Sequence, residues 1–96
     1  MSPLTKLPDA LARYERAEAA LIKAVEAAYP IGAVVGATIG RARIYGAVEN
    51  HGGPGYYAGY IWIVNEATGK KRHFYAARRS LHDVEVVSLP SQGTSR

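Results

Sequence analysis

The chain has 96 residues, 48% hydrophobic and 21% charged, with ten glycines and no cysteine. That length suits one domain around a single core, and the apolar-to-charged balance excludes global disorder. Without cysteine there is neither a disulfide framework nor a thiolate metal site. The formal net charge of +4 is unevenly spread: residues 1–29 carry four basic and four acidic side chains, while residues 41–79 carry seven basic and two acidic. Such local excess favours nucleic-acid phosphates or an acidic protein surface as partner, with plain solubility as the alternative.

The N-terminal MSPLTKLPDAL places proline and acid where a secretory leader has an apolar run, so a cytoplasmic location is expected. From Asp9 to Ala28 the pattern is helical. Leu7, Leu11, Tyr14, Leu21, Val25 and Ala28 recur at helical intervals, with Ala17 and Glu18 filling the gap. Alanines raise helix propensity, and Pro8 or Asp9 suits a first turn. Pro30 drives Tyr29 from helical angles, which ends the helix near Ala28. Each large apolar side chain buried contributes roughly 1.5–3 kcal/mol. Residues 1–29 are therefore expected to form an amphipathic helix packed on the rest of the domain, or alternatively on a second copy.

After Pro30 the period changes to two. Strands are expected over Ile31–Ile39, Ala42–Asn50, Tyr57–Asn65, Lys71–Ala76 and Val84–Leu89. Glu66 to Gly69 supplies a tight hairpin connection, and Ala77 to His82 one helical turn. The apolar run Ile31–Gly40 is far short of the ~20 residues of a membrane-crossing helix, so no membrane contact is expected. Six of the ten glycines lie between Gly32 and Gly53, where a small barrel would bend. The expected fold is α+β, mainly β: an N-terminal α-helix, a five-stranded SH3-like β-barrel over residues 30–90, and a flexible tail at 91–96.

GAVVGATIGRARIYGAV, Gly32 to Val48, resembles the KOW motif that opens many SH3-like barrels in ribosomal proteins and transcription factors. Gly32, Val35, Gly40, Gly46 and Val48 carry the resemblance. Ala37 stands where the family has a larger apolar residue, and the family's glycine between Gly40 and Gly46 is absent. The resemblance implies the barrel, and a role in touching RNA or protein for the loop Gly40-Arg41-Ala42-Arg43. A second, slighter resemblance is to the type II dihydrofolate reductases, tetrameric barrels with a central pore. Against their active-site strand, Arg72-His73-Phe74-Tyr75 agrees only at the tyrosine, so no catalytic residue follows from it.

Strand parity locates the candidate site. If Ile61, Ile63 and Phe74 face inward, Tyr60, Trp62, His73 and Tyr75 face outward, with Tyr45 beside Arg43 on the next strand joining the ladder. Arg43, Lys70, Lys71, Arg78 and Arg79 would flank those rings. Rings stack bases while cations hold the backbone, and the same surface could take an acidic peptide or a methylated side chain. Packing of the helix or a subunit on that face is the alternative. The loop from Asn50 to Tyr57 is read as a binding loop with His51 and Tyr56 at its tip. Lys70-Lys71-Arg72 and Arg78-Arg79 are expected near one rim as a phosphate patch, and Arg41 in the first hairpin joins the set.

Ser80, His82 and Asp83 are too close in sequence to form a triad by themselves, and the three histidines lack metal-ligand spacing. No cofactor and no enzymatic activity are expected. The sequence thus points to a small basic nucleic-acid-binding or nucleoprotein accessory factor. The alternatives are a protein-interaction or assembly module, such as a phage or mobile-element inhibitor or adaptor, and a small-ligand-binding homo-oligomer.

Overall fold

The structure, a computed structural model, describes residues 3–90; the expected tail at 91–96 lies outside the described residues. A helix, α1 (Pro3–Ala28), precedes β1 (Val34–Ile39), β2 (Ala42–His51), β3 (Tyr60–Asn65), β4 (Lys71–Tyr75), the short α2 (Arg79–His82) and β5 (Glu85–Ser88). The expected end of the helix at Ala28 is met; α1 extends N-terminally beyond the helical pattern from Asp9, through Pro8 to Pro3, where the described residues begin. Pro8 then removes one backbone bond in the second turn, which the helix tolerates. No helix is long and apolar enough to cross a membrane.

The five strands form one antiparallel sheet in the order β4-β3-β2-β1-β5. The order, with a helical turn before the last strand, is compatible with an SH3-like fold. Among the described residues β4 and β5 do not pair, so backbone bonding does not close the sheet into a barrel. α2, which joins β4 to β5 along the chain, touches β4 and β1. Its C-cap Asp83 adopts a left-handed conformation (φ 47°) and turns the chain into β5.

Alternation decides what the sheet buries. Val35, Ala37, Ile44, Val48, Ile61, Ile63 and Phe74 face one side and form the core with Ala33, Ala76 and Val84. β2 and β3 come unusually close where Gly46 opposes Asn65: a Cβ on Gly46 would stand 2.2 Å from the Val64 carbonyl oxygen, an approach only glycine permits. A bulge between Val48 and Asn50 adds twist to the same strand pair.

The helix contributes little of its length to this core. Val25 is buried, as is Tyr29 just past its end, and the Tyr29 amide donates to the Val25 carbonyl. Leu21 and Ile22 are half-buried. Farther up, Leu7, Leu11 and Tyr14 are 62%, 53% and 61% exposed. The expected packing of α1 on the domain is thus confined to its last turns, and the first half extends away along a molecule 57 Å in its longest dimension.

Candidate functional site

The outer face of β3 and β4 is a ladder of rings. Cross-strand pairing sets Tyr60 opposite Tyr75 and Trp62 opposite His73, while the alternate partners Ile61 and Phe74 point into the core. The ring centroids of Tyr60 and Tyr75 are 5.6 Å apart, and Trp62 and His73 stack at 5.3 Å with planes 23° apart. Above this ladder sits the loop before β3. Tyr57 meets Tyr60 at 5.3 Å, Trp62 at 5.1 Å and His73 at 5.7 Å, each edge to face. Tyr56, 82% exposed, meets Tyr57 at 4.8 Å and lies nearly parallel to Tyr60. Six rings therefore form one continuous patch, and α1 does not cover it.

Tyr57 is the ring absent from the sequence-derived set, although it touches four members of the patch, Tyr56, Tyr60, Trp62 and His73. A strand starting at Tyr57 would assign it the parity of Ile61 and turn it inward. β3 in fact starts at Tyr60, and the chain turns through Gly55 and Gly59, both at positive φ, so alternation does not govern Tyr57. The adjacent tyrosines after Pro54-Gly55 were the available signal. Gly52 lets the loop close, because a Cβ there would meet the Tyr57 carbonyl oxygen at 1.9 Å.

Tyr45 does not join the ladder. It shares the outer face but lies toward the other end of β2, where its ring rests against Gly36 and its partner is Arg43, 5.7 Å from the ring centroid. Arg43 is not a free cation. Its guanidinium donates to the Thr38 hydroxyl (3.1 Å), the Asp83 carbonyl (2.6 Å) and the Glu85 carboxylate, tying β2 to β1 and β5. Contact with Tyr45, then Glu85, raises its pKa further above the ordinary arginine value. This arginine is a fastener of the sheet, where the sequence reading placed it beside a ligand.

His51 also differs from its expected place at a loop tip. It ends β2, and its Nε2 lies 2.6 Å from the Tyr29 carbonyl; since a carbonyl only accepts, Nε2 carries the proton and donates. The ring thereby fastens the end of α1 to the sheet. His82 does likewise on the other side, with Nδ1 donating to the Thr38 carbonyl at 3.1 Å.

The two basic clusters do not share a rim. Lys70, Lys71 and Arg72 stand at the start of β4 and Arg78 and Arg79 just beyond its end, separated by an extended strand rising about 3.3 Å per residue. They bracket the ring patch instead. Lys71 follows His73 on the outer face and pairs with Glu49 at 3.0 Å, a contact exposed enough to be weak. Arg72 shares the parity of Phe74 and so leaves the sheet on the opposite side from the rings. Among the described residues Arg41, Lys70, Arg72, Arg78 and Arg79 make no ion pair.

Grooves lie along α1. One of about 310 Å³ is lined by Tyr14, Ala17, Glu18, Leu21, Gly55 and Ala58. There the Glu18 carboxylate accepts from the Gly55 amide (3.1 Å) and the Tyr14 hydroxyl (3.3 Å), and its charge lifts the Tyr14 phenol above its ordinary pKa. Among the described residues no three His, Asp or Glu side chains converge on a point able to hold a metal ion. The arrangement offers stacking surface and positive charge. No family model, curated protein or solved structure matches this chain.

Proposed function

We propose that the chain is a non-enzymatic binding module that takes single-stranded nucleic acid on the outer face of β3 and β4. The observation that carries this reading is the patch of Tyr56, Tyr57, Tyr60, Trp62, His73 and Tyr75, of which Tyr56, Tyr57 and His73 are exposed and the others half-buried, bracketed by Lys70 and Lys71 at one end and Arg78 and Arg79 at the other. Every base has a π face, so such rings bind without strong sequence preference, and basic side chains at both ends follow the phosphates. The KOW-like stretch from Gly32 to Val48 agrees with this assignment.

Titration of a fluorescent oligouridylate and an oligothymidylate, read by anisotropy and by Trp62 emission, tests the proposal. Binding is expected to weaken as salt rises, with a log–log slope of about −0.7 for each phosphate neutralised. Trp62→Ala and Tyr57→Ala are each expected to cost ~1–3 kcal/mol of stacking, a loss of about 5- to 150-fold in affinity. A flat salt response, or unchanged affinity in both variants, removes the proposal.

A second reading, a protein-interaction module, is favoured by the edge strand β5. Among the described residues it is unpaired on one side, with exposed Val87 on it (53%) and exposed Leu89 (67%) just past its end. A partner retained at high salt and after nuclease treatment would support that reading.

A further inference from the structure

The first half of α1 holds an apolar stripe that none of the described residues covers. Leu7, Leu11 and Tyr14 are each more than half exposed, and the stripe continues through Glu18 and Leu21 to Val25. The steps between these six positions alternate four and three, a seven-residue repeat, the spacing of a two-helix seam. The lower end of the seam is already used: Val25 is in the core and Glu18 holds the Gly55 amide. Above Glu18 it is free. Along one flank Ala10, Ala17 and Ala24 recur every seventh residue and keep that side low enough for a second helix to come close.

We infer that the first four turns of α1 pair antiparallel with the same segment of a second copy, Leu7 of one chain against Leu11 of the other. Charge selects this occupant. The first four turns carry Lys6, Arg13 and Arg16 against Asp9 and Glu15, a net charge of only +1 and too little by itself to hold a phosphate chain or an anionic lipid surface. An apolar helix face of little net charge fits it, and the helix itself offers one. Charge also sets direction. Parallel pairing would bring together two sheet portions with seven basic and two acidic side chains each, whereas antiparallel pairing sends them to opposite ends. Four helical turns make a seam of only about 21 Å. This is far short of the ~800 Å² per partner of a standard interface, so the dimer is weak and concentration-dependent.

Sedimentation equilibrium of the full chain from low micromolar to near-millimolar concentration tests the inference. The mass is expected to rise from 10.3 kDa toward twice that value. Leu7→Glu combined with Leu11→Glu is expected to weaken association at least tenfold while leaving the monomer's melting temperature unchanged, since neither side chain is in the core. Arg16→Gln, off the seam, is expected to associate like the parent. The chain has no cysteine, so direction can be read by mild oxidation of Leu7→Cys protein mixed with Leu11→Cys protein. The mixed disulfide supports antiparallel pairing, and same-site disulfides alone overturn it. A monomer at every concentration, or undiminished association of the double variant, overturns the inference altogether. So does binding to phosphatidylserine vesicles or oligonucleotide that the double variant abolishes.

Discussion

Gly46→Ala is the sharpest probe of how closely β2 and β3 approach. The added Cβ would stand 2.2 Å from the Val64 carbonyl oxygen and 2.7 Å from its carbon, both of them backbone. The closest comfortable approach of carbon to oxygen is about 3.3 Å, so β2 and β3 must separate locally by roughly 1 Å. The bond from the Glu66 amide to the Tyr45 carbonyl, 2.8 Å long, lies beside this point and is lost or stretched. Overpacking costs about 1–3 kcal/mol and a hydrogen bond about 1 kcal/mol more. Against this, alanine stabilises by roughly 0.5–1 kcal/mol through the lower entropy of its unfolded chain. The expected net loss is ~1–3 kcal/mol, read by urea denaturation with an unchanged m-value. A variant within 0.5 kcal/mol of the parent would show that the two strands are not held this close, and this account of Gly46 would fail.

Three other substitutions separate the remaining contacts. Val25→Ala removes the side chain by which α1 enters the core and is expected to destabilise by ~1–3 kcal/mol, measured by chemical denaturation. Tyr29→Phe has the opposite sign: the hydroxyl is buried with no hydrogen-bond partner among the described residues, so its removal should be neutral or raise stability by up to about 1 kcal/mol in a thermal melt. Arg43→Ala, which frees Asp83 and Glu85, should lower the melting temperature and speed amide exchange in β5, while the salt slope of oligonucleotide binding stays as it was. A reduced slope in that variant would return Arg43 to the ligand-binding set.

Periodicity by itself determined much of this protein. The helix end before Pro30, the five strands, the helical turn before β5 and the face on which Tyr60, Trp62, His73 and Tyr75 lie all follow from local rules: the ring lock of proline and the two-residue alternation of a strand. Those rules depend on bonded neighbours, which a sequence displays directly. Tertiary structure alone decided the rest. Arg43, His51 and Lys71 read as free binding groups, yet their partners Glu85, Tyr29 and Glu49 lie 42, 22 and 22 residues away and meet them only once the sheet is formed. Tyr57 lies in a turn where alternation has no force, so only the folded chain sets it against Trp62. The stripe on α1 was legible, but not its cover. How far down the helix the sheet reaches depends on where Val25 and Glu18 dock, and that contact leaves Leu7, Leu11 and Tyr14 exposed.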